Sequence, residues 1–339
     1  MSNFKIIVSN NLKNFGDKIN NHLKKLRPES EDYIIYPDNI RFNTGEGKCI
    51  IKENLQNKNV YILSDVSNSD KTYQLKGEIH KTSPDDHFMD IVRIISAINN
   101  QASKKTLITP YLYSSRQYGK GTGESSDGDI ALKILKYLGI NNIITCDVHD
   151  ENISSNIEGL TLTNIQLTKT LLTHLLNKEN IISYKDIVCI SPDEGAIERT
   201  KLYNNLLPGS EFAYFYKRRS KEITDGTAKI ENHMFIGNKE NLKNKIAIIV
   251  DDMIDTGSSI LDTAKQLKEF GVKKVYLITT FAFFTKGIEK FREYYQDGHI
   301  EKVYSTNLIN ISQEVINESW FEIVDCSKDI ANIINNLEE

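Results

Sequence analysis

Short apolar runs recur along this chain, and polar stretches with helical periodicity separate nearly all of them. That alternation constrains the fold more than any other feature. The runs are "KIIVS" (5–9), "DYIIY" (32–36), "VYILSD" (60–65), "TLITPYL" (106–112) and "IITCDVH" (143–149). A second set follows: "DIVCISPD" (186–193), "EFAYFY" (211–216), "KIAIIVDD" (245–252), "VYLITTFAFF" (275–284) and "KVYSTN" (302–307). Between them, stretches such as "HFMDIVRIISAINN" repeat Phe88, Ile91, Val92, Ile95 and Ile98 at helical spacing. Continuous apolar strands alternating with helices predict an α/β fold of mostly parallel sheets flanked by helices.

With 339 residues the chain has material for about two domains, each with a sheet of about five strands. The spacing places two domains at 1–165 and 166–320, with the boundary after "SNIEGLTLTN". The piece 321–339 reads as a strand and helix that return to the first domain, and the polar insert at 67–83 as a mobile surface excursion. Composition is that of an ordinary globular protein, 39% hydrophobic and 26% charged. A formal net charge of -4 argues against a general nucleic-acid binder. No apolar run reaches the roughly 18 residues that span a bilayer, and "MSNFKIIVSNN" has too short an apolar core for a secretory signal. Cys49, Cys146, Cys189 and Cys326 lie far apart, as reduced thiols do. A cytoplasmic protein with no membrane partner is expected.

The segment 246–271, "IAIIVDDMIDTGSSILDTAKQLKEFG", carries the clearest chemistry. If its strand ends at Val250, Asp251 and Asp252 stand at the carboxyl rim, where open parallel sheets bind ligands. Ile260, Ala264 and Leu267 mark the face of the next helix and Gly271 its stop, so that helix begins after "DTGSS". Backbone N–H groups and the dipole at such a start favour a phosphate. Thr256, Ser258 and Ser259 add hydroxyls, and Gly257 lets the backbone come close. Asp251, Asp252 and Asp255 then suit sugar hydroxyls or a metal held through water. The plainer alternative is that Asp255 with Ser258 or Ser259 simply caps the helix. Capping, however, does not call for paired acids at the strand end.

This acidic pair followed by acid-Thr-Gly resembles the ribose-5-phosphate loop of type I phosphoribosyltransferases. With "RFNTGEGKCIIKENLQNKNVYIL", "TPYLYSSRQ", "IITCDVHDENI", "SPDEGAIER" and "YKRR" in order, nearly the whole chain resembles the ribose-phosphate diphosphokinase family. That resemblance implies two phosphoribosyltransferase-like domains. It also implies transfer of the β,γ-diphosphate of ATP to the 1-hydroxyl of ribose 5-phosphate, with Mg²⁺ as cofactor and AMP leaving.

By resemblance, Lys217 and Arg219 are the catalytic cations; positions two apart share one side of an extended segment. The alternative for "KRRSK" is a solvated basic patch. Phe42, Thr44 and Glu46 correspond to the residues that hold adenine from a neighbouring subunit, and they share one face if "RFNTGE" is extended. Arg116, Gln117 and the lid residue Lys120 correspond to ATP contacts, in a glycine-rich loop that is neither a Walker sequence nor a full GxGxxG. His149 corresponds to a histidine touching ATP and magnesium, and Asp193 to a second magnesium-linked residue; without the resemblance, a lone histidine such as His149 is more often structural than a ligand. The resemblance also implies that Asp251, Asp252, Asp255, Thr256, Gly257, Ser258 and Ser259 hold ribose 5-phosphate. The resemblance implies a homo-oligomer, a dimer unit or hexamer, with shared ATP sites.

Departures from the family pattern are Thr44 for asparagine, Ser258 where a second glycine is usual, Glu124 for a lid arginine, and Asn54 and Gln56 for a serine and arginine of the regulatory phosphate site. The last three predict poor activation by inorganic phosphate. The alternatives to the diphosphokinase are a catalytically silent regulatory paralogue and a phosphoribosyltransferase.

Overall fold

The computed structural model describes residues 3–28, 32–117, 123–149, 153, 157–224 and 227–339, and excludes the side chains of 217–224 and 227–232. The chain divides into two compact units. The first comprises Met1–Gln166, Asn307–Asn310 and Asp325–Glu339; the second comprises Leu167–Thr306 and Ile311–Val324.

In the first unit the elements are β1 (Phe4–Val8), α1 (Lys13–Leu26), β2 (Ile34–Ile35), β3 (Asp38–Arg41), β4 (Gly47–Ile50), β5 (Asn59–Leu63), β6 (Thr72–Leu75), β7 (Glu78–Lys81), α2 (Pro84–Ile98), β8 (Lys104–Ile108), α3 (Asp127–Tyr137), β9 (Asn142–Cys146) and β10 (Thr161–Ile165). Six strands form a parallel sheet in the order β10-β9-β8-β5-β1-β2. Its central strands bury Ile7, Val60, Ile62, Leu107 and Ile143 almost completely, beneath Ile91, Ile94, Ile95 and Ile98 of α2. Each such side chain contributes about 1.5–3 kcal/mol. Helix α2 starts where it does because Ser83 and Asp86 form a reciprocal capping box around Pro84.

The second unit contains α4 (Thr168–Lys178), β11 (Ile187–Ser191), α5 (Ile197–Asn205), β12 (Glu211–Thr224), β13 (Thr227–Ile236), β14 (Ile246–Ile254), α6 (Ser258–Glu269), β15 (Lys274–Ala282), α7 (Glu289–Gln296), β16 (Lys302–Thr306), α8 (Gln313–Ile316) and β17 (Phe321–Val324). Its sheet order is β13-β12-β11-β14-β15-β16-β17, parallel except for the antiparallel β12–β13 hairpin. The sheets thus hold six and seven strands rather than five, because edge strands β10, β13 and β17 join them.

Three expectations need correction. The 321–339 piece does not travel together: β17 pairs with β16 in the second sheet, and α9 (Ser327–Leu337) joins the first unit. There α9 packs on α1, with Arg27 Nε donating to Asn335 Oδ1 at 2.7 Å and Tyr61 Oη to Glu338 Oε1 at 2.7 Å. The 67–83 insert is a built hairpin, β6–β7, turning at Lys76 and Gly77 with φ of 51° and 89°. It is tied to the β3–β4 hairpin by Lys76 N–H donating to the Asn43 carbonyl at 3.1 Å and by Arg41 lying 4.7 Å from the Tyr73 ring centre. "RFNTGE" is not extended either. It is the tip of the β3–β4 hairpin, closed by Phe42 N–H to Glu46 carbonyl and Gly45 N–H to Phe42 carbonyl, both at 2.8 Å.

Candidate functional site

Strand β14 runs to Ile254, four residues beyond the expected end at Val250. It pairs with β11 only as far as Ile249, whereas its pairing with β15 continues to Ile254 opposite Ala282. Asp251 and Asp252 therefore still lie past the end of β11, on the stretch whose β11 side has been released. Asp252 is 4% exposed. Asp255 is fixed by Thr285, whose hydroxyl donates to Oδ1 at 2.5 Å and whose N–H donates to the Asp255 carbonyl at 3.0 Å.

Gly257 turns the chain into α6 at φ +76°. An added Cβ there would stand 2.4 Å from Phe291 Cζ, so both the backbone conformation and the space call for glycine. Helix α6 starts with Gly257 at its N-cap and has no side-chain cap hydrogen bond and no acid in its first turn. The N-cap residue therefore brings no side chain over the first turn, and the helix start keeps the character of an anion site. Thr256 and Ser258 hydroxyl oxygens lie 3.4 Å apart over this turn.

Burial pushes the Asp251 carboxyl well above the usual carboxylate range, and the charges of Asp252 and Asp193 push it further the same way. Arg199 on α5 opposes them; its Nη2 stands 3.9 Å from Asp252 Oδ2, and its side chain is 13% exposed. Asp193 begins the short loop after β11, where its Oδ1 accepts from Gly195 N–H at 3.0 Å. The structure thus groups Asp251, Asp252 and Asp193 around one arginine that the sequence did not single out. Among the described residues, no three His, Cys, Asp or Glu form a ready metal cage.

In the first unit, Arg116 and Gln117 leave the carboxyl end of β8 and His149 that of the neighbouring β9, all three exposed. The two loops are stitched together by Cys146 N–H donating to the Pro110 carbonyl at 2.9 Å. A second group sits at the β3–β4 tip: Phe42 is 48% exposed, and the Thr44 hydroxyl donates to Glu46 Oε2 at 2.9 Å. Lys120 lies outside the described residues. Lys217 and Arg219 lie on β12, opposite His233 and Ile230, with a register shift between Arg218 and Arg219. The β12–β13 hairpin was itself missed, although the Asp225-Gly226 pair is a hairpin signal in sequence.

Comparison with known proteins accords with this arrangement. Residues 4–141 match the N-terminal domain of ribose phosphate pyrophosphokinase, and 160–315 match the phosphoribosyl transferase domain. The chain is 27% identical over 324 residues to ribose-phosphate pyrophosphokinase 5 of Schizosaccharomyces pombe, covering 88% of this chain and 85% of that one. It is 25% identical over 300 residues to the ribose-phosphate pyrophosphokinase of Haemophilus influenzae, covering 88% and 86%. In fold it is similar to the crystal structure of phosphoribosylpyrophosphate synthetase from Mycobacterium smegmatis, at a TM-score of 0.79 and 20% identity over 99% of both chains. With both family domains matched in order along one chain, the protein belongs to the ribose-phosphate pyrophosphokinase family.

Proposed function

We propose that the protein transfers the β,γ-diphosphate of ATP to the 1-hydroxyl of ribose 5-phosphate, giving phosphoribosyl pyrophosphate and AMP for nucleotide biosynthesis in the cytoplasm. The observation that carries this reading is the start of α6 behind left-handed Gly257, an N-cap with no side chain, with Asp251, Asp252 and Asp255 immediately upstream. An anion site followed back along the chain by carboxylates suits a sugar phosphate: the loop takes the 5-phosphate and the acids accept from ring hydroxyls.

Lys217 and Arg219 are assigned to the oxygens of the transferring group. In phosphoryl transfer, positioning and cations that meet developing charge supply most of the acceleration. The bond from O1 to the β-phosphorus forms as the bond to the bridging oxygen breaks, and that oxygen leaves with AMP. Arg116, Gln117, Lys120 and His149 are assigned to ATP. The exposed group Phe42, Thr44 and Glu46 is assigned to the adenine of an adjoining subunit, which makes the working unit a homo-oligomer.

Magnesium fits the residues present. Burial raises the Asp251 pKa, and so does the negative charge that Asp251, Asp252 and Asp193 crowd together, a repulsion that a hard divalent cation nearby would relieve; their oxygen donors suit Mg²⁺. In the second unit Asp193 is assigned to it, with water completing its shell, and in the first unit His149 is assigned to ATP and the magnesium that accompanies it. Bound there, the ion would neutralise charge on the phosphates of ATP. A single assay tests the proposal: ATP, ribose 5-phosphate and Mg²⁺ should yield AMP and a diphosphorylated sugar. Turnover that needs a nucleobase would instead make this a phosphoribosyltransferase. No turnover, with tight association to an active subunit, would make it a regulatory paralogue.

A further inference from the structure

Strand β12 leaves the shelter of its sheet before it reaches Lys217. Its pairing with β11 ends at Tyr214 opposite Ser191, so from Phe215 onward its one sheet neighbour is β13. A two-stranded ribbon twists freely and is marginal on its own. Lys217 nevertheless has to meet the Asp193 loop and the α6 phosphate turn at a fixed distance if it serves a reaction there.

His233 lies directly across the ribbon from Lys217, at the last but one rung before the register shift. Its imidazole is 5% exposed and reaches the two elements that need to be fixed. Nε2 faces the carbonyl of Pro192, the residue before Asp193, at 3.2 Å. A carbonyl only accepts, so Nε2 is the donor. Nδ1 lies 2.5 Å from Asp262 Oδ2 on α6, one turn beyond the phosphate-binding start. Gln266 Nε2 closes the group, 3.2 Å from Nδ1 and 3.1 Å from the same Asp262 oxygen. Phe215, two residues before Lys217, packs its ring 4.6 Å from the imidazole.

We propose that His233 is a positioning residue: through Pro192 and Asp262 it locks the Lys217 rung of the hairpin to the Asp193 loop and to the phosphate helix. The inference rests on the assignment of Lys217 to the transferring group. What it adds is the mechanical link that sets where Lys217 stands, carried by a side chain that touches neither substrate.

The test compares His233→Leu, which keeps bulk and removes both polar links, with Asp262→Asn, which changes a half-exposed partner and leaves the fold intact. His233→Leu should lower kcat by about 10- to 100-fold while KM for ribose 5-phosphate moves by less than about 3-fold. Asp262→Asn should shift kcat in the same direction, and the double variant should be no worse than His233→Leu. Backbone hydrogen exchange should quicken in segments 190–197 and 212–219 of both variants. His233→Gln, whose amide still donates toward Pro192, should recover part of kcat. Wild-type kcat in His233→Leu would overturn the proposal. So would kcat and KM falling together with the unfolding temperature while exchange in the two segments stays unchanged. If His233→Leu fails to fold, Asp262→Asn decides by the same readouts. If the wild-type protein makes no AMP, the functional reading fails instead, and exchange alone decides whether His233 couples the hairpin to the loop.

Discussion

Thr285 holds Asp255 twice, by its hydroxyl at 2.5 Å from the carboxylate and by its N–H at 3.0 Å from the carbonyl. The first contact orients the acid and the second fixes the backbone that carries it. Losing a hydrogen bond to a charged group costs about 1.5–3 kcal/mol. Thr285→Val should therefore raise KM for ribose 5-phosphate about tenfold or more, while Thr285→Ser keeps it near wild type. Steady-state kinetics with ribose 5-phosphate varied at saturating ATP provide the check. Equal KM values in the two variants would remove Asp255 from substrate binding.

Gly257→Ala should destabilise the protein by about 2–4 kcal/mol, from left-handed backbone strain and the clash with Phe291. Phe291→Leu in the same background should recover only the part due to the clash. Denaturant titrations separate the two contributions, and ribose 5-phosphate binding by calorimetry should be lost in both variants.

Lys217→Ala should lower kcat by about 100- to 1,000-fold, because it removes a charge that acts on the transition state. Binding of ribose 5-phosphate should change by less than about 3-fold. Matched losses in turnover and binding would move Lys217 to substrate capture.

Asp325 gives a pH prediction with a definite sign. Burial opposes its charge, but hydrogen bonds from Lys18 at 2.8 Å, from Ser327 and from Asn307 outweigh it and hold the carboxyl well below the usual range. A folded-state pKa below the unfolded one contributes stability above the unfolded pKa, and that stability disappears as pH falls through the folded value. Asp325→Asn should thus lower the unfolding temperature by a constant amount from neutral pH down to about 5, and the gap should begin to narrow below about 4 and close only as pH falls through the depressed folded value. A gap that widens in acid would contradict the assignment.

Inorganic phosphate should activate the enzyme weakly. The Asn54 side chain is engaged in its own turn, accepting from Gln56 N–H at 2.9 Å, and Glu124 adds a negative charge to the lid segment. Against the family pattern, Gln56 and Glu124 remove two cations and Glu124 adds an anion, which weakens an anion site. Strong, saturable activation in a phosphate titration at fixed Mg-ATP would refute this.

The sequence by itself determined the central strands, the register of α6 and the glycine turn before it. Those features depend on neighbours a few residues apart: the apolar run through Ile248, Ile249 and Val250 is buried wherever it pairs, and Ile260, Ala264 and Leu267 share a helix face by spacing alone. It also determined which residue types stand at the rims of the strands, because chain order carries Asp251, His149 and Arg116 there. Only the tertiary structure decided which groups meet across long loops. Thr285 reaches Asp255 across 30 positions, and His233 reaches Asp262 across 29 and Pro192 across 41. The hairpin tips at Phe42–Glu46 and the split of β17 from α9 depended in the same way on partners that no local pattern names. Periodicity reports which face of an element is buried; it carries no information about which distant surface covers that face, and that choice is made by packing.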